Sequence, residues 1–352
     1  MDGKTAQQQS ASQKQTAKNN QKRILTGDNA TGKLHIGHYV GSLQNRVKLQ
    51  HDYETFIIIA DMHALAYPKY VKNPETVARS VLEVTMGNLA IGMVPEKTYF
   101  FPESAIPEIY ELGIIFSMLV SHNRALRNPT LKEEIRDKNM GDKFSVGFIN
   151  FPILQAADIL CVNADLVPVG EDQVPHVELT REIARRFNSY YGETFVEPEP
   201  LVGETARLVG LDGNAKMSKS LGNTIYLNEP EESLKKKVMS MYTDPNRIHP
   251  TDPGTVEGNP VFIYHDAFNP NKEEVADLKK RYREGSVGDV EVKEKLYKAL
   301  SDFLAPVREK YAYYEGHLEE VQEIIEAGTV KTRKEAQETL AKVKERLKLD
   351  LV

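Results

Sequence analysis

The sequence predicts an α/β fold in which a doubly wound parallel sheet is followed by a helical domain. Apolar segments of strand length alternate with helical segments up to about residue 186. Phe56–Ala60 is continuously apolar, as expected of a strand buried on both faces of a parallel sheet. Beyond about residue 225, strand-like segments become scarce and helical spacing dominates.

The positions of the individual elements are predicted from the spacing of apolar residues and from proline and capping residues. Strands are predicted at Arg23–Thr26, Phe56–Ala60, Thr98–Phe101 and Leu166–Val169. Helices are predicted at Leu34–Leu49, from Pro74 with Val77, Val81 and Val84 on one face, and at His176–Arg186. Later helices are predicted at Glu273–Arg283, Val292–Tyr314 with an interruption at Pro306, and Thr332–Leu347, which would begin with a capping box of Thr332 and Glu335.

Three regions are expected along the 352 residues. Residues 1–21 are rich in Gln, Ser, Asn, Lys and Ala, which predicts a disordered polar tail without a catalytic role. Residues 22–224 would form the Rossmann-like catalytic domain. Residues 225–352 would form a helical C-terminal domain.

Composition excludes several classes of protein. Cys161 is the only cysteine, which rules out an internal disulfide and a multi-cysteine zinc or iron–sulfur site. No apolar run approaches the ~20 residues of a membrane-spanning helix, so a cytoplasmic protein without membrane contact is expected. The net charge of −6 argues only weakly against nucleic-acid binding, because phosphate contact needs a local basic face. Lys235–Lys237 and the basic residues from Lys331 to Lys348 are candidates for such a face, or are solvated helix surface.

The first motif, Thr31–His38, follows the first strand and opens a helix. The free N–H groups and positive dipole end of a helix N-terminus suit a phosphate chain. His35 and His38 are three residues apart and would lie on one helical face, where both could donate to the same phosphates. Gly37 between them would let a flat base pack against the backbone. Taken alone, the motif is also compatible with two surface histidines on an ordinary helix.

The second motif, Ala215–Ser220, lies between Gly213 and Gly222 and is predicted to be a mobile loop. Lys216 and Lys219 are compact cations suited to a departing pyrophosphate, and Ser218 and Ser220 can bond phosphate oxygens. Such a segment alone is usually a solvated loop. A histidine pair after the first strand combined with this lysine loop is the signature pair of class I aminoacyl-tRNA synthetases.

The chain resembles bacterial tryptophanyl-tRNA synthetases, as a divergent subgroup, from about residue 23 to its C-terminus. The segments that carry the resemblance are Thr31–Gly37, Ala60–Ala64, Gln155–Leu160, Val167–Gln173 and Glu178–Arg181. The resemblance implies that Asp158 accepts the indole N–H, and that Gln155, Gln173 and His63 lie near the amino acid. It also implies contacts to ATP from Asn29, Ala30, Thr31, Gly37, His38, Gly170, Glu171, Asp172, Leu208, Lys216, Met217, Ser218, Lys219 and Ser220. A helix-start cap is the structural alternative for Asp158, and a core histidine is the alternative for His63.

The implied activity is that of a tryptophan–tRNA ligase. L-tryptophan would be activated with ATP to tryptophanyl-AMP and pyrophosphate, and then transferred to tRNA(Trp). Catalysis would come from positioning and charge stabilisation by His35, His38, Lys216 and Lys219. Mg²⁺ would travel with ATP, and no dedicated metal site is expected. The family forms symmetric homodimers, so a homodimer is expected.

Three alternatives remain at this point. Gln155 and Asp158 lie three apart on one helical face, which also resembles tyrosyl enzymes; the Ala-Ala-Asp setting of Asp158 argues against that reading. A free nucleotidyltransferase would share the first motif, but the lysine loop and the helical domain argue against it. A non-charging paralogue that binds tRNA or adenylate is the third, and the intact motifs argue against it.

Overall fold

A computed structural model describes residues 21–137, 140–141, 144–202, 208–213, 217–245, 247, 249 and 251–350. The predicted polar tail, except for Gln21, lies outside these ranges, and so does Lys216 of the second motif. Within the described part of the chain, no helix is long and apolar enough to cross a membrane.

The sheet contains five parallel strands in the order β3-β2-β1-β4-β5. The strands are β1 (Arg23–Asn29), β2 (Glu54–Ala60), β3 (Thr98–Pro102), β4 (Leu166–Val169) and β5 (Glu199–Val202). The four predicted strands are confirmed. The fifth, β5, was missed because its Glu-Pro-Leu-Val sequence lies at the sheet edge with both ends exposed and shows no apolar run.

The helices cover the sheet and extend beyond it. In chain order they are α1 (Ile36–His38), α2 (Gln44–Leu49), α3 (Asp61–Ala64), α4 (Pro68–Val71), α5 (Pro74–Ala90), α6 (Pro107–Ser117), α7 (His122–Leu126), α8 (Pro129–Asp137), α9 (Val146–Cys161), α10 (Val174–Tyr191), α11 (Glu231–Met239), α12 (Pro260–Phe268), α13 (Lys272–Arg283), α14 (Asp289–Glu315) and α15 (Leu318–Leu347). A π-helical segment, Tyr39–Leu43, joins α1 to α2.

Two predictions about the C-terminal helices were wrong. Helix α14 continues through Pro306 without interruption. The capping box at Thr332 does not exist, because Thr332 lies in the middle of α15 and is fully buried. Tertiary packing decides both outcomes: the buried face of α15 extends on both sides of Thr332, from Val321 to Val343.

Helix α15 packs back onto the sheet of the first domain. Gly328 lies so close to β3 that a Cβ there would come within 2.2 Å of the Phe100 carbonyl oxygen. The Arg23 guanidinium in β1 binds the Glu335 carboxylate at 2.7 Å, and Lys331 binds Glu54 in β2 at 3.0 Å. The C-terminal helices therefore brace the sheet, and a domain boundary near residue 225 stays a prediction.

The strand order places the site. β1 lies between β2 and β4, so the chain leaves β1 toward one side of the sheet and later returns to the other. In open parallel sheets, ligands bind at this reversal, outside the carboxyl ends of the strands. Here those ends are Asn29 of β1 and Val169 of β4.

Candidate active site

A cleft of about 1620 Å³ opens at the carboxyl ends of β1, β2 and β4. Ala30 lies buried behind its wall, the side chain of Ser220 lies outside the described structure, and Lys216 is not described. The other predicted site residues all line the cleft: Asn29, Thr31, His35, Gly37, His38, His63, Gln155, Asp158, Gly170, Glu171, Asp172, Gln173, Leu208, Met217, Ser218 and Lys219.

The two histidines of the first motif lie side by side, although not on one helical face. His35 precedes α1 with an extended backbone (φ −125°, ψ 167°), so the expected helical spacing was the wrong reason for their proximity. The ring centroids are 3.7 Å apart, and the backbone N–H of His35 donates to Nδ1 of His38 at 3.1 Å. This bond makes Nδ1 an acceptor and fixes how the His38 ring is turned.

Backbone pairing joins the first motif to the segment that follows the lysine loop. The Ile36 N–H donates to the Ile225 carbonyl at 3.0 Å, and the Leu227 N–H donates to the Leu34 carbonyl at 3.0 Å. Ile225 and Leu34 are both buried. Segments about 190 residues apart in sequence therefore form one wall of the cleft.

Lys219 of the second motif contacts the backbone of the first motif. Its ammonium donates to the Gly32 carbonyl at 2.8 Å and lies 3.4 Å from the Thr31 carbonyl. Gly32 has φ +99°, a conformation that side chains rarely adopt, so the turn that offers these carbonyls depends on glycine. Burial lowers the pKa of Lys219 to about 8, while the charges of Asp28 and Glu83 act in the opposite direction.

Gly37 is also required by close approach. A Cβ at this position would lie 2.9 Å from the His35 ring and 3.1 Å from Sδ of Met217. Met217 belongs to the lysine loop and is buried. The sequence indicates one reason for glycine at this position, which is that a base could pack against its backbone. The structure gives a second reason, which is that the two motifs are in contact at Gly37.

Asn223 follows the lysine loop and binds residues on both sides of it. Its Oδ1 accepts from the Ser218 N–H at 2.8 Å, and its carbonyl accepts from the Leu211 N–H at 3.2 Å. The adjacent Gly222 has φ +68°. Asn223 therefore connects Ser218 of the second motif to Leu211 on the other side of that motif.

His63 and Asp158 line the cleft, and the buried Glu103 contacts His63 without lining it. We call these three buried side chains the acid–histidine cluster. His63 Nδ1 lies 2.7 Å from Glu103 Oε2 and 3.8 Å from Asp158 Oδ2, and His63 Nε2 lies 3.2 Å from the Phe151 carbonyl. The cap alternative for Asp158 is wrong, since Asp158 lies near the C-terminal end of α9 and Ser145 caps that helix. His63 is both a core histidine and a cleft residue.

In this cluster the charge of each side chain shifts the pKa of its neighbours. Burial disfavours the His63 cation, yet Glu103 and Asp158 outweigh burial and raise the pKa of His63 to about 9. Burial and the charge of Glu103 raise the pKa of Asp158 well above its ordinary value, and His63 acts in the opposite direction. Asp158 is 2% exposed, and its Oδ1 has no hydrogen-bond partner among the described residues. Buried acceptors are nearly always paired, so this atom awaits a donor.

The turn after β4 supplies the opposite wall. Gly170 precedes the 3₁₀ turn Glu171–Gln173, whose Asp172 carbonyl accepts from the Thr130 hydroxyl at 2.7 Å. The Asn128 amide lies 3.0 Å from His176 Nδ1. Burial lowers the pKa of His176 to about 4, so this ring is neutral at pH 7 and serves to hold the turn.

Sequence reasoning missed several residues of the cleft. Glu103 is fully buried beside His63; its only sequence signal was a carboxylate directly after the β3 strand. Asp28 and Arg46 form a buried ion pair at 2.6 Å next to the first motif. Tyr67 and Glu134 meet at 2.8 Å across the cleft mouth, between segments that no local pattern connects.

Comparisons with known proteins agree with this geometry. The profile of the tRNA synthetases class I (W and Y) matches residues 17–305. The tryptophan–tRNA ligase of Chlamydia caviae is 50% identical over 334 residues, covering 94% of this chain and 97% of that protein. That of Treponema pallidum is 48% identical, covering 93% and 97%.

A solved structure extends the similarity to the fold. The tryptophanyl-tRNA synthetase from Campylobacter jejuni, complexed with ADP and tryptophan, superposes with a TM-score of 0.81 at 34% identity, covering 92% of this chain and 99% of that one. The chain belongs to the class I tRNA synthetases of the tryptophan and tyrosine type, and it groups there with the bacterial tryptophan–tRNA ligases.

Proposed function

We propose that this protein activates L-tryptophan with ATP to tryptophanyl-AMP and pyrophosphate, and transfers the tryptophanyl group to tRNA(Trp). One observation carries the proposal. The contact between the two ATP motifs at Gly37 and Lys219 opens into the same cleft as the unpaired Oδ1 of Asp158. The tryptophan–tRNA ligase relatives at up to 50% identity support the choice of amino acid.

Activation would proceed by attack of the tryptophan carboxylate on the α-phosphorus of ATP, with loss of pyrophosphate. Lys219 would stabilise the negative charge that develops on the departing pyrophosphate, and Lys216 is proposed for the same task from its sequence position. His35 and His38 would hold the phosphates. Mg²⁺ would enter bound to the phosphate oxygens of ATP. Thr31, Gly170, Glu171, Asp172 and the lysine-loop residues would position the nucleotide.

Amino-acid selection would depend on Asp158. Indole has one polar atom, a donor, and a carboxylate oxygen is a strong acceptor for it. Tyrosine would present a hydroxyl and phenylalanine no donor at all, so the buried Oδ1 would stay unpaired with phenylalanine. Gln155, Gln173 and His63 would contact the rest of the amino acid.

Pyrophosphate exchange tests the activity. Exchange of labelled pyrophosphate into ATP is expected to depend on tryptophan, and tyrosine is expected to support little. Much faster exchange with tyrosine would show that the amino acid is wrong. If none of the amino acids supports exchange, the result would favour the non-charging paralogue.

Asp158→Ala is expected to weaken tryptophan binding while ATP binding survives. Loss of a hydrogen bond to a charged acceptor costs about 1.5–3 kcal/mol, or roughly tenfold to a hundredfold in affinity. Calorimetric titration with each ligand separately measures both affinities. An equal loss for tryptophan and ATP would instead assign Asp158 a structural role.

The assembly and location are part of the proposal. Ile114 on α6 and Met118, the C-cap residue of α6, are 60% and 78% exposed, and Val146 at the start of α9 is 82% exposed. Contiguous apolar patches mark association surfaces, whereas single exposed apolar side chains are ordinary, so the homodimer is proposed from the family resemblance. A monomer in sedimentation equilibrium at micromolar protein concentration would contradict the proposed homodimer. A cytoplasmic location fits the use of tRNA and ATP.

A further inference from the structure

We propose that Glu103 is a positioning residue that holds His63 as an imidazolium beside Asp158, where this cation favours the ionised form of Asp158 that accepts the ring N–H of the amino-acid substrate. The proposal rests on the proposed function, because it assumes that Asp158 receives that N–H. Glu103 itself does not line the cleft. It would act only through His63.

Hydrogen-bond geometry gives His63 two acceptors. Glu103 Oε2 faces Nδ1 at 2.7 Å, and the Phe151 carbonyl faces Nε2 at 3.2 Å. A carbonyl and a carboxylate can only accept. A neutral ring has one N–H and would leave one of these contacts without a hydrogen, whereas an imidazolium satisfies both. The His63 backbone N–H also donates to Glu103 Oε2 at 3.1 Å, which fixes the carboxylate in place.

The arrangement of charges explains why a cation is needed there. His63, Glu103 and Asp158 each contribute one side-chain nitrogen or oxygen atom to a group of three atoms that all lie within 4.8 Å of one another. All three residues are buried. Two buried carboxylates at this separation resist simultaneous ionisation unless a cation lies with them. With both carboxylates ionised and His63 charged, the cluster carries one net negative charge. Burial and the charge of Glu103 raise the pKa of Asp158, and the His63 cation acts against both, so the ionised Oδ1 that would face the cleft depends on that cation. The raised pKa of His63, about 9, agrees with this state.

Of the ionisable side chains around the cluster, three hold one protonation state in the range in which a histidine titrates. Asp61 on α3, Tyr110 on α6, Cys161 on α9 and His176 on α10 face the cluster. Burial raises the pKa of Tyr110 and of Cys161 and lowers that of His176 to about 4. These three groups keep their protons in one state between pH 5.5 and 8, roughly the range in which an unperturbed histidine titrates.

Nuclear magnetic resonance of ¹⁵N-histidine in the wild-type protein tests the charge directly. The His63 signals are identified as those missing from His63→Gln. At pH 7.5 both ring nitrogens are expected to be protonated. A neutral His63 ring at that pH overturns the proposal, and this measurement needs no change at Glu103.

Glu103→Gln then separates charge from shape, since the amide oxygen still accepts from the His63 ring and backbone. The pKa of His63 is expected to fall into the range of about 5.5–8 once the charge is gone. Tryptophan affinity, measured by calorimetry, should then weaken about fivefold or more from pH 5.5 to pH 8, because the cation beside Asp158 is lost as pH rises. In the wild type it should vary less than about twofold, and ATP affinity should be unaffected in both.

Glu108→Gln is the matched control. Glu108 is a buried carboxylate on α6 that binds Arg333 at 3.2 Å and has no hydrogen bond to the cluster among the described residues, so the variant should keep the wild-type pH profile. A flat profile in Glu103→Gln assigns Glu103 a purely structural role and overturns the proposal, while tryptophan-dependent exchange by the wild type leaves the activity standing. Exchange that prefers tyrosine would overturn the proposed function instead.

Discussion

Lys219→Ala is expected to slow adenylate formation by about a hundredfold or more, with little change in tryptophan affinity. Removing one group that stabilises transition-state charge has an effect of this order. The interaction matters most as pyrophosphate separates, so it lowers the rate more than ground-state binding. Single-turnover kinetics measures the rate, and calorimetry measures the affinity.

Lys219→Arg is the matched variant, because it keeps the cation and removes the titration. Burial lowers the pKa of Lys219 to about 8, so the charged form is present below that pH and is lost above it. In the wild type the rate of adenylate formation should therefore fall above about pH 8, whereas arginine stays charged and should flatten this fall. Near-normal single-turnover rates in Lys219→Ala would reduce the lysine loop to a linker. Lys216→Ala is expected to behave like Lys219→Ala on sequence grounds.

Gly37→Ala is expected to lower kcat/KM for ATP by about a hundredfold, since displacement of a catalytic group by about 1 Å has effects of this size. The added Cβ would come within 2.9 Å of the His35 ring and 3.1 Å of Met217 Sδ. The His35 ring must then shift within the first motif, and the Met217 side chain of the second motif must give way slightly. Steady-state exchange assays at varied ATP concentration measure the effect.

Gly316→Ala provides the control for Gly37→Ala. Gly316 follows α14 and does not line the cleft, and a Cβ there would make only ordinary contacts of 3.5 Å and 3.6 Å with backbone oxygens, so activity and stability should match the wild type. Thermal unfolding of Gly37→Ala should show only a modest loss, because the strain is confined to two side chains. Full activity in Gly37→Ala would show that the contact between the motifs does not contribute to catalysis.

The sequence alone predicted the elements whose signal is local. The buried strands β1 to β4 are apolar runs, and the two ATP motifs are contiguous segments with glycine punctuation. Asp158 was singled out by the family resemblance, and its apolar neighbours indicated that it is buried. These features need no knowledge of distant residues, so pattern and resemblance were sufficient to predict the parallel α/β fold, the two ATP motifs and the amino acid.

Only the tertiary structure decided what depends on contacts between distant segments. Strand β5 pairs at an edge without an apolar signal, and α15 runs through Thr332 because packing on the sheet outweighs the capping pattern. The contact of Gly37 with Met217 joins segments 180 residues apart. Glu103 and His63 meet across 40 residues, and their partnership exists only because β2 and β3 are neighbours whose carboxyl ends share one edge of the sheet.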